Sequence, residues 1–154
     1  MLRREERSNS QTPPRVLVSL IAAGYAVAPA LVELNKTHAT NPRWPGHARF
    51  HLVWQVLSHV LYSGLVVTLL WWSNPCPPER FYLASALLAG PLLAFLIAVA
   101  SRRFYGGTLH DPNGVRPLTI HLGSRTIALE MNLVLVTGGI LLLFGALYSF
   151  SLRR

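Results

Sequence analysis

Residues 50–72, FHLVWQVLSHVLYSGLVVTLLWW, decide the fold. They belong to a run of 29 residues, between Arg49 and Glu79, that contains no Asp, Glu, Lys or Arg. A helix needs about 20 apolar residues to cross a hydrocarbon layer of about 30 Å. The run is therefore long enough to form a transmembrane helix. We expect this helix to pack against other transmembrane helices of the chain.

Three more charge-free runs surround this one. They contain 17 residues after Arg15, 21 after Arg80 and 22 after Glu130. Apolar residues follow one another in these runs instead of alternating, which favours helices over the strands of a barrel. The sequence thus predicts an all-α integral membrane protein, a bundle of four transmembrane helices. The expected spans, in a single domain of residues 1–154, are about 16–34, 50–72, 81–101 and 126–150.

The first span has an alternative interpretation. Its basic preface RREER, its apolar centre and the tail Ala28-Pro29-Ala30 resemble a cleavable signal peptide. Cleavage there would leave a chain that begins at Leu31. The length of the apolar run favours a retained transmembrane helix.

The charge of the chain is strongly basic. A net charge of +8 would indicate a nucleic-acid partner in a soluble protein. Because the basic residues flank the spans, membrane lipids with anionic headgroups are expected as partners, and nucleic acid is not. Four spans give seven of the 14 basic residues to each side of the membrane. The positive-inside rule therefore favours neither orientation. We expect a multi-pass protein with cytoplasmic termini, because the first transmembrane segment often determines the orientation.

The remaining polar side chains are divided unequally between the two ends of the predicted bundle. One end receives all six histidines and three of the six acidic residues, whereas the other receives the termini and a Pro-rich turn. Ionisable side chains within spans normally face a bundle interior or a wet cavity. We therefore expect a histidine-rich polar cavity at one membrane face, which a kink at Gly90-Pro91 would widen.

The segment HARFHLVWQVLSH, residues 47–59, supplies most of the candidate site residues. Its polar side chains follow at four-residue steps, so that neighbouring pairs share a helix face. Glu130 is expected five residues inside the fourth span, facing this stripe. An imidazole beside Glu130 or Glu33 would form a proton-transfer pair, although a histidine here can also simply bond a neighbouring helix. The predicted catalytic residues are His51, Glu130 and His59, and the predicted substrate-binding residues are Gln55, Asn132, Trp54 and Glu33.

A metal is the other possibility for this segment. His47 and His51 have the H-x-x-x-H spacing of two metal ligands on one helix face, and Glu130 or a loop histidine would supply a third ligand to a transition metal. The chain lacks the repeated histidine boxes of membrane desaturases and the Glu-x-x-His pattern of di-iron bundles. Cys76 is the only cysteine, and it is expected to be a small residue in the turn SNPCPPE.

The span plan, together with NPRWPGHARFHLVWQ leading into the second span, resembles the small DoxX-like and anthrone-oxygenase-like membrane families. The combination of intramembrane histidine and glutamate is more distantly similar to the EXPERA sterol isomerases. This resemblance implies a class, namely small membrane enzymes that act on hydrophobic ring compounds without a soluble cofactor domain.

These observations lead to two functional hypotheses. The first is a membrane enzyme that acts on a hydrophobic small-molecule substrate by isomerisation, cyclisation or cofactor-light oxidation. The second is a non-catalytic membrane module that binds a lipid or small solute, or that supports a partner complex. Nucleotide-binding, haem-attachment and protease motifs are absent from the sequence, so they do not decide between the two.

Overall fold

The computed structural model of the chain describes residues 2–112 and 114–153. Its long helices are α1 (Leu2–Glu33), α2 (Gly46–Trp71), α3 (Pro78–Ser101) and α4 (Met131–Ser151). A short 3-10 helix, Arg102–Phe104, follows α3, and the strands β1 (Leu118–Leu122) and β2 (Arg125–Leu129) precede α4. Each long helix contains a segment that is long and apolar enough to span a membrane. The prediction of four helices of membrane length is confirmed.

The helices form an up-and-down bundle. Each helix packs against the next one along the chain, and α4 packs against α1. The helix direction reverses at every connection, so α1 and α3 are diagonal neighbours that run the same way. The bundle consequently has two ends. The terminal end contains the start of α1, the turn 72–77 and residues 152–153. The loop end contains residues 34–45 and 102–130.

The hydrophobic core lies in the half of the bundle nearest the terminal end. Phe81 of α3 and Phe150 of α4 stack with their ring centroids 3.8 Å apart. Ser63 of α2 donates a hydrogen bond of 2.8 Å to the carbonyl of Ala22 in α1, which lets these two helices approach closely. The fully or almost fully buried apolar residues around these contacts include Val18, Val66, Leu70, Ala84, Leu88, Leu143 and Ala146.

Helix α1 begins well before the predicted span, which was expected to start near residue 16. Its first turns extend beyond the apolar segment and pack on the turn 72–77. Ser8 donates a 2.6 Å hydrogen bond to the side-chain oxygen of Asn74, and the side-chain oxygen of Gln11 accepts 3.0 Å from the backbone N–H of Cys76. These contacts keep a polar segment helical. The basic residue Arg154, used in the orientation argument, lies outside the described residues.

The loop end contains the main departure from the predicted all-α fold. Residues 118–129 form an antiparallel hairpin in which Ile120 pairs with Ile127. The sequence LTIHL-GS-RTIAL alternates apolar and polar residues in part, as a strand exposed on one side does, and Gly123 takes a φ of 60° in the turn. The fourth span was expected from about residue 126, but α4 begins at Met131.

Candidate functional site

The histidines of the loop end do not share one cavity. They fall into separate groups, one centred on His38, one on His110 and one on the pair His47 and His51. A further histidine, His121, bonds Thr126 across the hairpin at 3.1 Å. The single polar cavity expected from the sequence is therefore replaced by several local contacts.

Glu33 lies at the last residue of α1, beside the loop that follows it. Its carboxylate is 3.5 Å from the Nδ1 atom of His38, and the same ring nitrogen is 2.7 Å from the hydroxyl of Thr37. His38 is only 7% exposed, and Trp44 packs edge-on against its ring at 4.9 Å between centroids. A Cβ atom added to Gly114 would come within 3.1 Å of His38. Glu33 and His38 thus hold the two long loops of this end together.

Glu130 immediately precedes α4 instead of lying inside the fourth span. Its carboxylate oxygens are 3.0 and 3.2 Å from the Nδ1 atom of His110, and Asn132 donates a 3.3 Å hydrogen bond to the carbonyl of Leu109. Both residues fasten the loop before the hairpin to the start of α4. Among the described residues, the imidazole that contacts Glu130 is therefore that of His110 and not that of the predicted His51.

His51 pairs with His47 on the outer side of α2. The Nε2 atoms of the two rings are 2.9 Å apart, and Trp54 extends the aromatic surface at 5.8 Å between ring centroids. The bundle-facing side of α2 passes through Val56, which is five residues or about 140° around the helix from His51. This explains why His51, Trp54 and Gln55 are exposed rather than turned towards Glu130.

The predicted metal site therefore has two imidazoles in place. Two nitrogens bound to one tetrahedral ion lie about 3.3 Å apart, whereas the 2.9 Å between the Nε2 atoms of His47 and His51 is the length of an N–H···N hydrogen bond. Within residues 2–112 and 114–153, no group of three or more His, Cys, Asp or Glu side chains is arranged to hold a metal. A metal at this pair would need its other ligands from water or from another molecule.

The metal hypothesis can be tested by measuring the ratio of bound metal to protein. If His47 and His51 ligate a transition metal, purified protein should take up about one equivalent, and His47→Ala or His51→Ala should abolish this uptake because a single imidazole is a weak ligand. Elemental analysis after dialysis against Zn²⁺ or Ni²⁺ measures the ratio. His121→Ala is the matched control, since that exposed histidine lies in the hairpin. Equal uptake by His47→Ala and the parent would contradict the prediction.

His59 occupies a different place from the other histidines, at the middle of α2. Its ring lies against Tyr25 of α1, with 4.2 Å between the ring centroids and 37° between the planes. Its Nδ1 atom is buried and has no hydrogen-bond partner among the described residues. A buried ring nitrogen without a partner is costly, and a bound molecule could satisfy it.

His59 also lines a cleft of about 450 Å³. Its lining comes mainly from α2 and α3, with Tyr25 reaching in from α1, and most of the lining is apolar. Tyr62 at its rim is 49% exposed, so the cleft opens on the flank of the bundle. The lining residues are Tyr25, Ser58, His59, Tyr62, Ala86, Leu87, Gly90, Pro91 and Ala94.

Gly90 and Pro91 create the space for this cleft. Nothing lies within 4 Å of where a Cβ of Gly90 would be. Pro91 lies inside α3 and has no N–H, so the carbonyl of Leu87 loses its helical donor. The cleft therefore combines an aromatic and aliphatic lining with a few hydrogen-bonding groups, the usual composition of a small-molecule site.

The cleft joins features that the sequence analysis considered separately. His59 was predicted as catalytic, and Gly90-Pro91 was predicted to widen a cavity, but the two were not assigned to the same place. Tyr25 and Tyr62 were missed. Their polar hydroxyl groups in the interior of apolar runs were the available indication, since such residues commonly mark a wet or ligand-binding surface.

Comparison of the chain with protein-family models, with curated proteins and with solved structures finds no match. The resemblance to the DoxX-like, anthrone-oxygenase-like and EXPERA families therefore stays a prediction.

A second buried polar cluster lies at the terminal end. The guanidinium of Arg15, which is 1% exposed, lies 4.1 Å from the centre of the Trp71 ring. It donates 2.9 Å to Asn74 and 3.4 Å to the carbonyl of Ser73. Trp71 in turn donates 2.9 Å to the hydroxyl of Ser19. The cluster fixes the turn 72–77 on α1, which indicates a structural role.

Cys76 belongs to this cluster. It is 2% exposed, and burial raises the pKa of its thiol, although the nearby Arg15 and Arg80 act in the opposite direction. A raised pKa leaves less thiolate at a given pH, and the thiolate is the reactive form. We expect iodoacetamide at mildly alkaline pH to alkylate native protein many times more slowly than unfolded protein, as followed by intact mass. Equal rates would show that the turn opens freely.

Proposed function

We propose that the protein is a multi-pass membrane protein that binds a hydrophobic small molecule in the cleft beside His59. The observation that carries this proposal is the largely apolar cleft of about 450 Å³ that is lined in part by His59, a residue whose buried Nδ1 atom has no hydrogen-bond partner among the described residues. An apolar molecule with one polar group fits this arrangement, because its body would pack on the lining while its polar group bonds the imidazole.

Entry from the bilayer follows from the position of the cleft. His59 lies near the middle of α2, and Gly90-Pro91 lie near the middle of α3. The opening on the flank of the bundle would then face lipid tails rather than water. A lipophilic molecule can reach it by lateral diffusion, without crossing either loop region. We further propose cytoplasmic termini, as the sequence suggests.

Photolabelling tests the proposal without knowledge of the natural ligand. The probe is a long-chain aliphatic alcohol with a diazirine group, added to the protein in proteoliposomes and activated by light. We expect labelled peptides to be concentrated in residues 58–62 and 86–94, with His59→Leu reducing this labelling because the polar anchor is lost. Labelling spread evenly over all lipid-exposed helix surfaces would refute a specific site.

Acid–base catalysis on the bound molecule is the second candidate function. The place of His59 in the cleft lining favours it, because an imidazole that reaches the bound molecule can accept a proton from one ligand carbon and return it to another, as an isomerisation requires. In this hypothesis His59 is the acid–base residue, since His51 and Glu130 have other partners. Incubation of membranes in D₂O, followed by mass spectrometry of extracted lipids, would reveal deuterium uptake that His59→Gln abolishes. Uptake that His59→Gln leaves unchanged would remove the catalytic version.

A further inference from the structure

The hairpin at the loop end has one apolar and one polar face. Side chains of a strand point alternately to the two faces, and the pairing places Leu118 with Leu129 and Ile120 with Ile127 on the same side. The bond between His121 and Thr126 marks the opposite side. The apolar face consists of Leu118, Ile120, Leu122, Ile127 and Leu129, and Arg125 stands at its tip.

Most of this apolar face is exposed in the described chain, although Ile120 and Leu129 are partly covered. Leu118 is 53% exposed and Leu122 is 61% exposed, and on the second strand Ile127 is 44% exposed. A lone two-stranded hairpin is at best marginally stable in water and needs its apolar face packed against something. An occupant of the apolar face is therefore expected in the functional environment.

The location of the hairpin restricts what this occupant can be. The strand β2 ends at Leu129 and α4 begins at Met131, so the root of the hairpin adjoins a helix of membrane length. Each strand has five residues, or about 17 Å at the usual rise of a strand. A segment of this reach, joined to α4 without a linker, lies where the bilayer surface would be.

The charges around the hairpin complement an anionic surface. Residues 102–130 contain four arginines and two acidic residues, and Glu130 among the latter is paired with His110. Two large aromatic residues precede the hairpin, Phe104 at 78% exposure and Tyr105 at 62%, and tyrosine in particular is enriched at the level of lipid headgroups. Arg125 lies at the tip of the apolar face, where its long side chain can reach a phosphate while its stem stays on apolar surface.

We propose that the hairpin 118–129 lies on the bilayer with its apolar face in the headgroup region, where Arg116 and Arg125 bind anionic phospholipid. The inference rests on membrane insertion of the helices and is independent of the cleft beside His59. Interfacial segments with an apolar face and basic edges bind membranes in this manner.

The test compares environment-sensitive NBD labels on two adjacent residues of opposite faces, Ile120→Cys and Thr119→Cys. Cys76 is buried, and unsubstituted protein provides the labelling blank. Leu141→Cys, at a position of α4 that is 66% exposed, reports insertion. Each labelled protein is reconstituted in phosphatidylcholine, with or without phosphatidylglycerol, and quenched by aqueous iodide and by nitroxide-bearing lipid.

We expect nitroxide lipid to quench the label at position 120. We also expect iodide to quench the label at 120 several-fold less than the label at 119. Phosphatidylglycerol should increase this difference, and Arg125→Gln should reduce the lipid-bound fraction of hairpins about fivefold relative to the unbound fraction. Equal iodide quenching at 119 and 120 would overturn the proposal. Protection of position 120 from both quenchers would overturn it in favour of a protein partner.

Two further outcomes separate the parts of the proposal. If nitroxide quenching at position 120 changes neither with phosphatidylglycerol nor with Arg125→Gln, the proposed role of anionic headgroups is wrong. Absence of nitroxide quenching at Leu141→Cys would show that α4 is not in the bilayer, which would refute membrane insertion and the hairpin proposal together. Failure of photolabelling at the cleft would leave all these quenching results unchanged.

Discussion

Gly90→Leu is expected to eliminate probe labelling of the cleft while the protein still folds. The added side chain would enter open space, because nothing lies within 4 Å of its Cβ position, and it would occupy volume that the ligand needs. Leucine is also a better helix former than glycine, so the bundle should not lose stability. With the diazirine alcohol as probe, labelling of residues 58–62 and 86–94 should fall to the level of the general lipid-exposed surface.

Gly145→Leu is the matched control for this experiment. Gly145 is an exposed glycine of α4, also without neighbours within 4 Å of its Cβ position, and it is not part of the cleft lining. The control should retain the labelling of the parent protein. If both variants label normally, a molecule of this kind does not bind at Gly90, and the proposed function is wrong.

Arg15→Ala is expected to cause the largest loss of stability of the substitutions considered. It removes hydrogen bonds from a charged donor to Asn74 and Ser73, together with the contact over Trp71. Together, charge-assisted hydrogen bonds and a cation–π contact of this kind contribute about 2–3 kcal/mol. Thermal unfolding in detergent, followed by circular dichroism, should show a clearly lower transition temperature.

Two comparisons identify the cause of that loss. Arg15→Met keeps most of the buried volume without the charge, so it should lose less stability than Arg15→Ala. Arg43→Ala, at an exposed loop position, should unfold like the parent. An Arg15→Ala protein as stable as the parent would show that the turn 72–77 does not depend on this guanidinium.

The sequence was sufficient to predict the helices, because their lengths follow from charge-free runs and the thickness of a bilayer. It was insufficient for the hairpin. Residues 126–129 are as apolar as a helix start, and only the alternation in Leu118–Leu122 pointed to strands. The extension of α1 was also missed, since Gln11 and Ser8 become helical through partners that are more than sixty residues away.

In the candidate site, too, a contact within one helix could be predicted from the sequence, whereas a contact between two helices could not. The spacing of His47 and His51 predicted a pair, and the structure places their nitrogens 2.9 Å apart. The proposed meeting of His51 and Glu130 depended on helix rotation and on where α4 begins, and neither can be read from spacing alone. A one-residue step turns a side chain by about 100°, so the choice between a bundle-facing and a lipid-facing position requires the packing of the other helices.

The uneven distribution of the core along the bundle has a consequence for motion. Phe81, Phe150 and their neighbours fill the half near the terminal end, whereas the cleft opens along α3 at Gly90 and Pro91. Free energies of local opening follow such differences in buried apolar contact. Amide hydrogens near Phe81 should therefore exchange only in global unfolding, while those around Pro91 exchange through small separations of α2 and α3. A ligand can consequently enter and leave while the aromatic stack remains closed.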